Sequence, residues 1–290
     1  MASSPRAHRA TVAAMLMTLA AEPILTPLQA IVLGAVQGLS ELLPISSSAH
    51  LYLVPTLLGW PYAGVAFDVA MHAGTLLALV VAFWSDWLAL FNGLRGPKGP
   101  EREQARQLFG MICVATVPGL VAGKVLGELE ERLRSVPLQA SMLLLFGILL
   151  WAADKFTKQA RETRVPGWGA ALAVGFAQCL ALVPGVSRSG ITMTAGRLSG
   201  LSRLSAARFS FMLSMPITLA AVLYTGLLKS SHLMMQLPVS TLLIGIVSSG
   251  VFGFIAIRFM LGMLKHVGFG VFAAYRVLVA LALFAWVARH

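Results

Sequence analysis

The sequence predicts an all-α, polytopic membrane protein, and three observations carry that prediction. Apolar residues make up 58% of the 290 and charged residues only 11%, against about 25% charged in soluble domains. Several apolar runs reach, or nearly reach, the roughly 20 residues a spanning helix needs. Two further apolar runs stop at a proline and pass into serine-rich turns. A soluble enzyme is excluded, because so few polar side chains cannot cover its surface. Disorder is excluded by the same apolar content. A disulfide scaffold is excluded because only Cys113 and Cys179 exist, each alone in an apolar stretch and expected as a small buried thiol.

The elements follow in chain order. Residues 1–22 hold Arg6 and Arg9 before a short apolar run, a pattern shared with signal peptides. An extension ahead of the first membrane element is preferred, because the next apolar segment begins at once. The remaining chain, 23–290, is expected to be one integral-membrane catalytic domain with halves at about 23–153 and 165–290. Spanning helices are expected at 65–91, 108–126, 138–153, 209–228, 239–257 and 268–287. The run 24–43 carries Gln29, Gln37, Ser40 and Glu41 and stops at Pro44. The run 168–183 carries Gln178 and stops at Pro184. Broken helices ending in polar loops are tolerated at membrane depth only where the backbone faces protein or water. The glycines of 245–253 suit close helix packing.

The two broken runs resemble each other. One reads QGLSELLPISSSAH from Gln37 and the other QCLALVPGVSRSGIT from Gln178. In each, a serine follows the glutamine by nine residues (Ser46, Ser187) and a second serine comes two later (Ser48, Ser189). Paired broken segments in two halves point to a site between internal repeats. The net charge is +11. Its basic residues cluster in short loops at 95–106 and 155–164, as orientation signals and anionic-lipid contacts do. Two crossings separate these loops, so both are expected in the cytoplasm. No basic stripe interleaved with aromatics supports nucleic-acid binding.

Chemistry is expected at the two breaks. Gln37 and Glu41 lie four apart and share a helix face. A carboxylate inside a membrane segment is costly unless paired, which makes it a functional candidate. Ser46, Ser47 and His50 follow, so acid, hydroxyl and imidazole are close in sequence and can supply nucleophile, base and orienting group. Serines after proline also simply cap helices. In the second loop, Gly185 and Gly190 allow close backbone approach. Ser187, Ser189 and Thr192 offer hydroxyls there, and Arg188 offers a fork suited to phosphate. An anion with several oxygens, such as a phosphorylated lipid, fits between the two loops. Asp68 and His72 fall in a spanning run with Gly74. They either line the same cavity or form a buried packing face, and the packing face is the plainer expectation. Arg197, Arg203 and Arg208 are expected at a membrane interface.

At LGAVQGLSELLPISSSAH, FDVAMHAGTLLALVVAFW and PGVSRSGITMTAGRLSGLSR the chain resembles the bacitracin-resistance family of undecaprenyl-diphosphate phosphatases, from about Leu28 to the C-terminus. The resemblance implies a bacterial inner-membrane enzyme that removes one phosphate from undecaprenyl diphosphate, yielding the carrier lipid for peptidoglycan synthesis. It implies inverted repeats with two re-entrant helix-loop-helix elements, a divalent cation (Mg²⁺ or Ca²⁺) and a site open to the periplasm. Glu41, Ser47, His50 and Arg188 take the catalytic positions, with Ser47 on the serine proposed as nucleophile. His50 as nucleophile, or a water activated by Glu41, remain alternatives. Gln37, Ser46, Ser187, Ser189 and Thr192 take substrate-binding positions, and Glu41 is the metal candidate. Gln37 stands where many relatives carry Glu, so a two-carboxylate metal site loses one charge. The expected partners are the diphosphate lipid and anionic lipids, and a homodimer is left open. The rival function is a transporter or flippase of polyprenyl phosphate. Such a carrier needs Arg188 and hydroxyls but no nucleophile with a base.

Overall fold

A computed structural model describes residues 25–157, 161–228 and 238–289. The N-terminal extension 1–22 and Lys158 of the second basic loop lie outside the described residues. Eleven α-helices and one short 3₁₀ turn form the described chain. They are α1 Pro27–Leu42, α2 Ser47–Leu58, α3 Gly64–Ala82, α4 Trp84–Arg95, α5 Pro100–Arg132 and α6 Val136–Phe156. After these come α7 Trp168–Ala177, the 3₁₀ turn Gln178–Leu182, α8 Arg188–Leu198, α9 Arg203–Leu228, α10 Val239–Met263 and α11 Gly270–Val287. Six helices (α3, α5, α6, α9, α10 and α11) are long and apolar enough to cross a bilayer.

Two expectations shift. The run 65–91 is not one helix. It breaks at Phe83, whose φ of −109° and ψ of 17° leave the helical well, and α4 restarts at Trp84. The span expected at 108–126 is part of a longer helix, the 33-residue α5, which runs beyond it at both ends. The cysteines also differ from expectation. Cys113 is exposed and Cys179 half-buried, since an outward apolar face suits a thiol as well as a core does.

The two breaks have a common local cause. Proline disfavours helical geometry in the residue before it and supplies no N–H. Leu43, before Pro44, sits at φ −76°, ψ 144°, and Val183, before Pro184, at φ −82°, ψ 119°. Each turn ends on a serine with positive φ: Ser46 at 81° and Ser187 at 73°. Among the described residues these are the two non-glycine positions with positive φ. Such geometry costs about 1–3 kcal/mol per residue and persists where surroundings over-determine it. The next helix starts immediately after each serine, at Ser47 and at Arg188.

Packing repeats with the halves exchanged. Helix α1 packs on α10, and α7 on α5; α3 packs on α10, and α9 on α5. The pairs α3–α9 and α6–α11 are their own counterparts. Helix α6 packs on α8, while Ala49 and Leu53 of α2 share a buried cluster with Leu283 of α11. The register repeats too. Gly34 lies three residues before Gln37, and Gly175 three before Gln178. A Cβ at Gly34 would collide with the Gly245 carbonyl, and one at Gly175 would lie 2.8 Å from the Ala115 carbonyl oxygen. Gly34→Ala is therefore expected to destabilise the purified protein by about 1–3 kcal/mol, read as a lower unfolding midpoint. Gly123→Ala, which meets nothing within 4 Å, is the matched control and should leave the midpoint unchanged or raise it.

Ion pairs close both ends of the bundle. At one end Arg134 meets Asp68 at 2.7 Å, with the Tyr62 hydroxyl also on Asp68 at 2.7 Å. At the other, Asp154 takes Arg203 at 2.7 Å and Arg197 at 3.3 Å, and Asp86 takes Arg208 at 2.8 Å. Arg197, expected at an interface, is instead buried, because Asp154 pairs with it and the Leu201 carbonyl accepts from it inside the bundle.

Candidate active site

Glu41 is the hub. It is the penultimate residue of α1 and is 8% exposed. Its Oε2 accepts the Ser47 hydroxyl at 2.5 Å and Gln37 Nε2 at 3.3 Å, and faces His72 Nε2 at 3.2 Å. Its Oε1 accepts from the Arg188 guanidinium. The two breaks, 147 residues apart in sequence, thus meet on one carboxylate. The i, i+4 spacing brings Gln37 to Glu41, and the sharp turn at Pro44 folds Ser47 back onto it. The Ser189 hydroxyl donates to the Leu43 carbonyl at 3.1 Å, which stitches the start of α8 to the first turn.

His72 belongs to this cluster rather than to a packing face. Its Nδ1 contacts the Asp68 carbonyl at 2.7 Å. With Nε2 facing Glu41, both ring nitrogens of His72 are engaged. His50 is placed differently. Its Nδ1 contacts the Ser46 carbonyl at 2.7 Å and its Nε2 the Tyr275 hydroxyl at 2.8 Å. The carbonyl requires the proton on Nδ1, so a neutral ring accepts from Tyr275 at Nε2. Both nitrogens are engaged away from Ser47, and the group poised to take the Ser47 proton is Glu41.

The remaining candidates are spent locally. Ser46 and Ser187 are buried, with hydroxyls 3.3 Å from Ser48 Oγ and 3.2 Å from Ser189 Oγ respectively. Ser187 also caps α8 by accepting from the Gly190 amide at 3.1 Å. The Thr192 hydroxyl lies 2.7 Å from the Arg188 carbonyl and 2.6 Å from Ser210 Oγ. It therefore holds α8 to α9 rather than joining Glu41.

Sequence reasoning missed Tyr275 and Arg276. Tyr275 carried no signal. Arg276 did, as a cation in the middle of an apolar span. It is fully buried and donates to five carbonyls: Pro44, Leu143, Met142, Gly185 and Val186. One guanidinium thus ties both turns to α6.

Ser47 and Arg188 are the first residues of α2 and α8, so two helix N-termini converge here. First-turn N–H groups and the positive helix end favour a bound anion. Gln37 Oε1 is buried with no hydrogen-bond partner, an acceptor left over beside the Glu41 carboxylate. A hydroxyl held by a carboxylate, next to an arginine and two helix N-termini, is equipped for phosphoryl transfer.

The family model described as bacitracin resistance protein BacA matches residues 30–282. A protein of Trichlorobacter lovleyi named undecaprenyl-diphosphatase is 46% identical over 261 residues, covering 89% of this chain and 96% of its own length. A protein of Gemmatimonas aurantiaca with the same name is 47% identical over 270 residues, covering 92% and 100%. One from Pelotomaculum thermopropionicum, again so named, is 44% identical over 259 residues, covering 89% and 96%.

Proposed function

Because the chain belongs to the bacitracin resistance protein BacA family, we propose that it hydrolyses undecaprenyl diphosphate to undecaprenyl phosphate and inorganic phosphate. The observation that carries this is the Ser47 hydroxyl held at 2.5 Å on Glu41, with Arg188 on the other carboxylate oxygen. A carrier that only moves the lipid has no use for that arrangement. In the bacterium this reaction recycles the lipid carrier for peptidoglycan synthesis, and bacitracin resistance follows from it.

Ser47 Oγ attacks the terminal phosphorus while Glu41 accepts its proton. The bond from that phosphorus to the bridging oxygen breaks, and undecaprenyl phosphate leaves. Arg188 and the first-turn amides of α2 and α8 offset the charge on the transferred group, where most phosphoryl-transfer catalysis lies. Glu41 passes the proton from Ser47 to the departing undecaprenyl phosphate. A water then attacks the phosphoserine and gives Glu41 a proton, which goes on to Ser47 Oγ as the serine–phosphorus bond breaks and phosphate departs. His50 is fixed by Ser46 and Tyr275, and His72 by Asp68 and Glu41, so both rings frame the site through contacts already made.

A divalent cation fits this donor set, although among the described residues no three His, Cys, Asp or Glu gather as a metal cluster. The unpartnered Gln37 Oε1 and the Glu41 carboxylate would hold it, and magnesium is commonly bound by one or two such oxygens plus substrate phosphates. When bound it supplies charge neutralisation on the diphosphate.

The two broken elements read best as re-entrant hairpins of two inverted halves, and the exchanged packing supports that reading. His72 lies about 6 Å along α3 from Asp68 but about 15 Å from Ala82 at 1.5 Å per residue. The Glu41 cluster therefore lies nearer the Asp68 end of α3 than the end that leads to the basic loops. With those loops in the cytoplasm, the site faces the periplasm across the inner membrane.

Purified protein in detergent is expected to release phosphate from undecaprenyl diphosphate in a divalent-dependent manner. Chelation should lower the rate at least about tenfold, with recovery on adding Mg²⁺ or Ca²⁺. A chelator without effect removes the cation from the mechanism. Lipid movement in proteoliposomes with no phosphate released would favour the carrier reading instead.

A further inference from the structure

At the end of the bundle away from Glu41, a cavity of about 850 Å³ opens between the α4–α5 connection and the segment leading into α7, with α9 behind it. It shares no residue with the Glu41 cluster. Lys98, Arg102, Arg164 and Arg208 line it, against the acids Asp86 and Glu101. Asp86 is paired with Arg208 at 2.8 Å, which leaves three cations facing one carboxylate. Arg102 Nε is buried and has no hydrogen-bond partner. The two basic loops of the sequence meet here, since residues 96–102 form one wall and 163–166 another.

The floor has a different character. Leu90, Phe209 and Met212 line it. Trp84 and Trp168, at the starts of α4 and α7, are 63% and 47% exposed. Exposed tryptophans mark the headgroup level of a bilayer. A basic rim over an apolar floor at that level suits a phosphate that carries a hydrocarbon tail, and basic pockets between helix ends on the cytoplasmic side are how such headgroups are held. A free phosphate would use the rim and leave the floor unfilled.

We propose that this cavity binds the phosphate headgroup of an anionic phospholipid. Lys98, Arg102 and Arg164 hold the phosphate, and the apolar floor receives the start of the acyl chains. The site is distinct from the proposed catalytic one and does not depend on its chemistry.

The test is retention of dioleoylphosphatidylglycerol by the full-length protein in native mass spectrometry, with dioleoylphosphatidylcholine for comparison. Wild type should retain the glycerol lipid preferentially. Combining Lys98→Gln, Arg102→Gln and Arg164→Gln should lower retention at least about tenfold. Removing three exposed charges elsewhere (Arg106→Gln, Lys124→Gln and Lys265→Gln) should not. Equal retention by both variants, or no preference between the lipids, overturns the proposal. Displacement by excess inorganic phosphate assigns the rim to free phosphate and also overturns it. Should the triple variant not fold, a photoactivatable phosphatidylglycerol decides on wild type. Cross-links within residues 96–108 and 163–166 support the site, and cross-links confined to other segments sink it.

Discussion

Glu41→Gln is expected to lower kcat for phosphate release by about 10³-fold, with a much smaller change in KM. The carboxylate receives Ser47, Gln37, His72 and Arg188. Its amide replacement keeps the size and loses both the charge and the ability to take a proton. Removing a positioned base costs about 10²–10⁴-fold. The amide also leaves Arg188 and His72 facing a neutral group, which disturbs the electrostatic frame around the phosphoryl group. Steady-state phosphate release at saturating substrate is the measurement. A variant within about threefold of wild type would remove Glu41 from the base role, since one 1.36 kcal/mol step is already tenfold. The unfolding midpoint is expected to fall, because Arg188 loses its buried carboxylate partner, so kcat is compared at a temperature where both proteins are folded.

Ser47→Ala is expected to abolish turnover to a similar depth and, unlike the first variant, to abolish phosphoenzyme. Wild type quenched during turnover with diphosphate labelled in its terminal phosphate should yield label on Ser47. The alanine variant should yield none. The two observations together separate attack by the serine from attack by a water on Glu41. Residual activity within about tenfold of wild type would favour the water, because that path needs Glu41 but no hydroxyl at position 47. Labelling of His50 would favour an imidazole nucleophile. The geometry points elsewhere, since both His50 nitrogens are already committed to Ser46 and Tyr275.

Much of this arrangement was legible beforehand for a local reason. Proline after an apolar run ends a helix whatever lies around it, so Pro44 and Pro184 marked both breaks. The spacing of four between Gln37 and Glu41 sets one helix face, and the two are in contact. The recurrence of Gln-x8-Ser-x-Ser announced paired elements, and both serines at its centre carry positive φ. Glu41 and Arg188 do touch, as a shared anion site between the two loops requires.

Other features escaped because they are not local. His72 reaches Glu41 only because α3 runs beside α1, and sequence position alone left it between the cavity and a packing face. Arg197 was expected at an interface because charge alone says little about where the partner sits. Asp154, 43 residues earlier in the chain, draws it inside.

Hydropathy and proline placement are enough to determine the membrane class, the spanning segments and the location of both breaks, because each depends on a few neighbouring residues. Which hydroxyl faces the carboxylate, which histidine reaches it, and how Arg276 clamps both turns were decided by the packed bundle. Those contacts join residues up to 232 positions apart, and their distances depend on how helices cross and in what register. A buried guanidinium or carboxylate is stable only where such crossings deliver enough partners, and a linear pattern of residues carries no record of that supply.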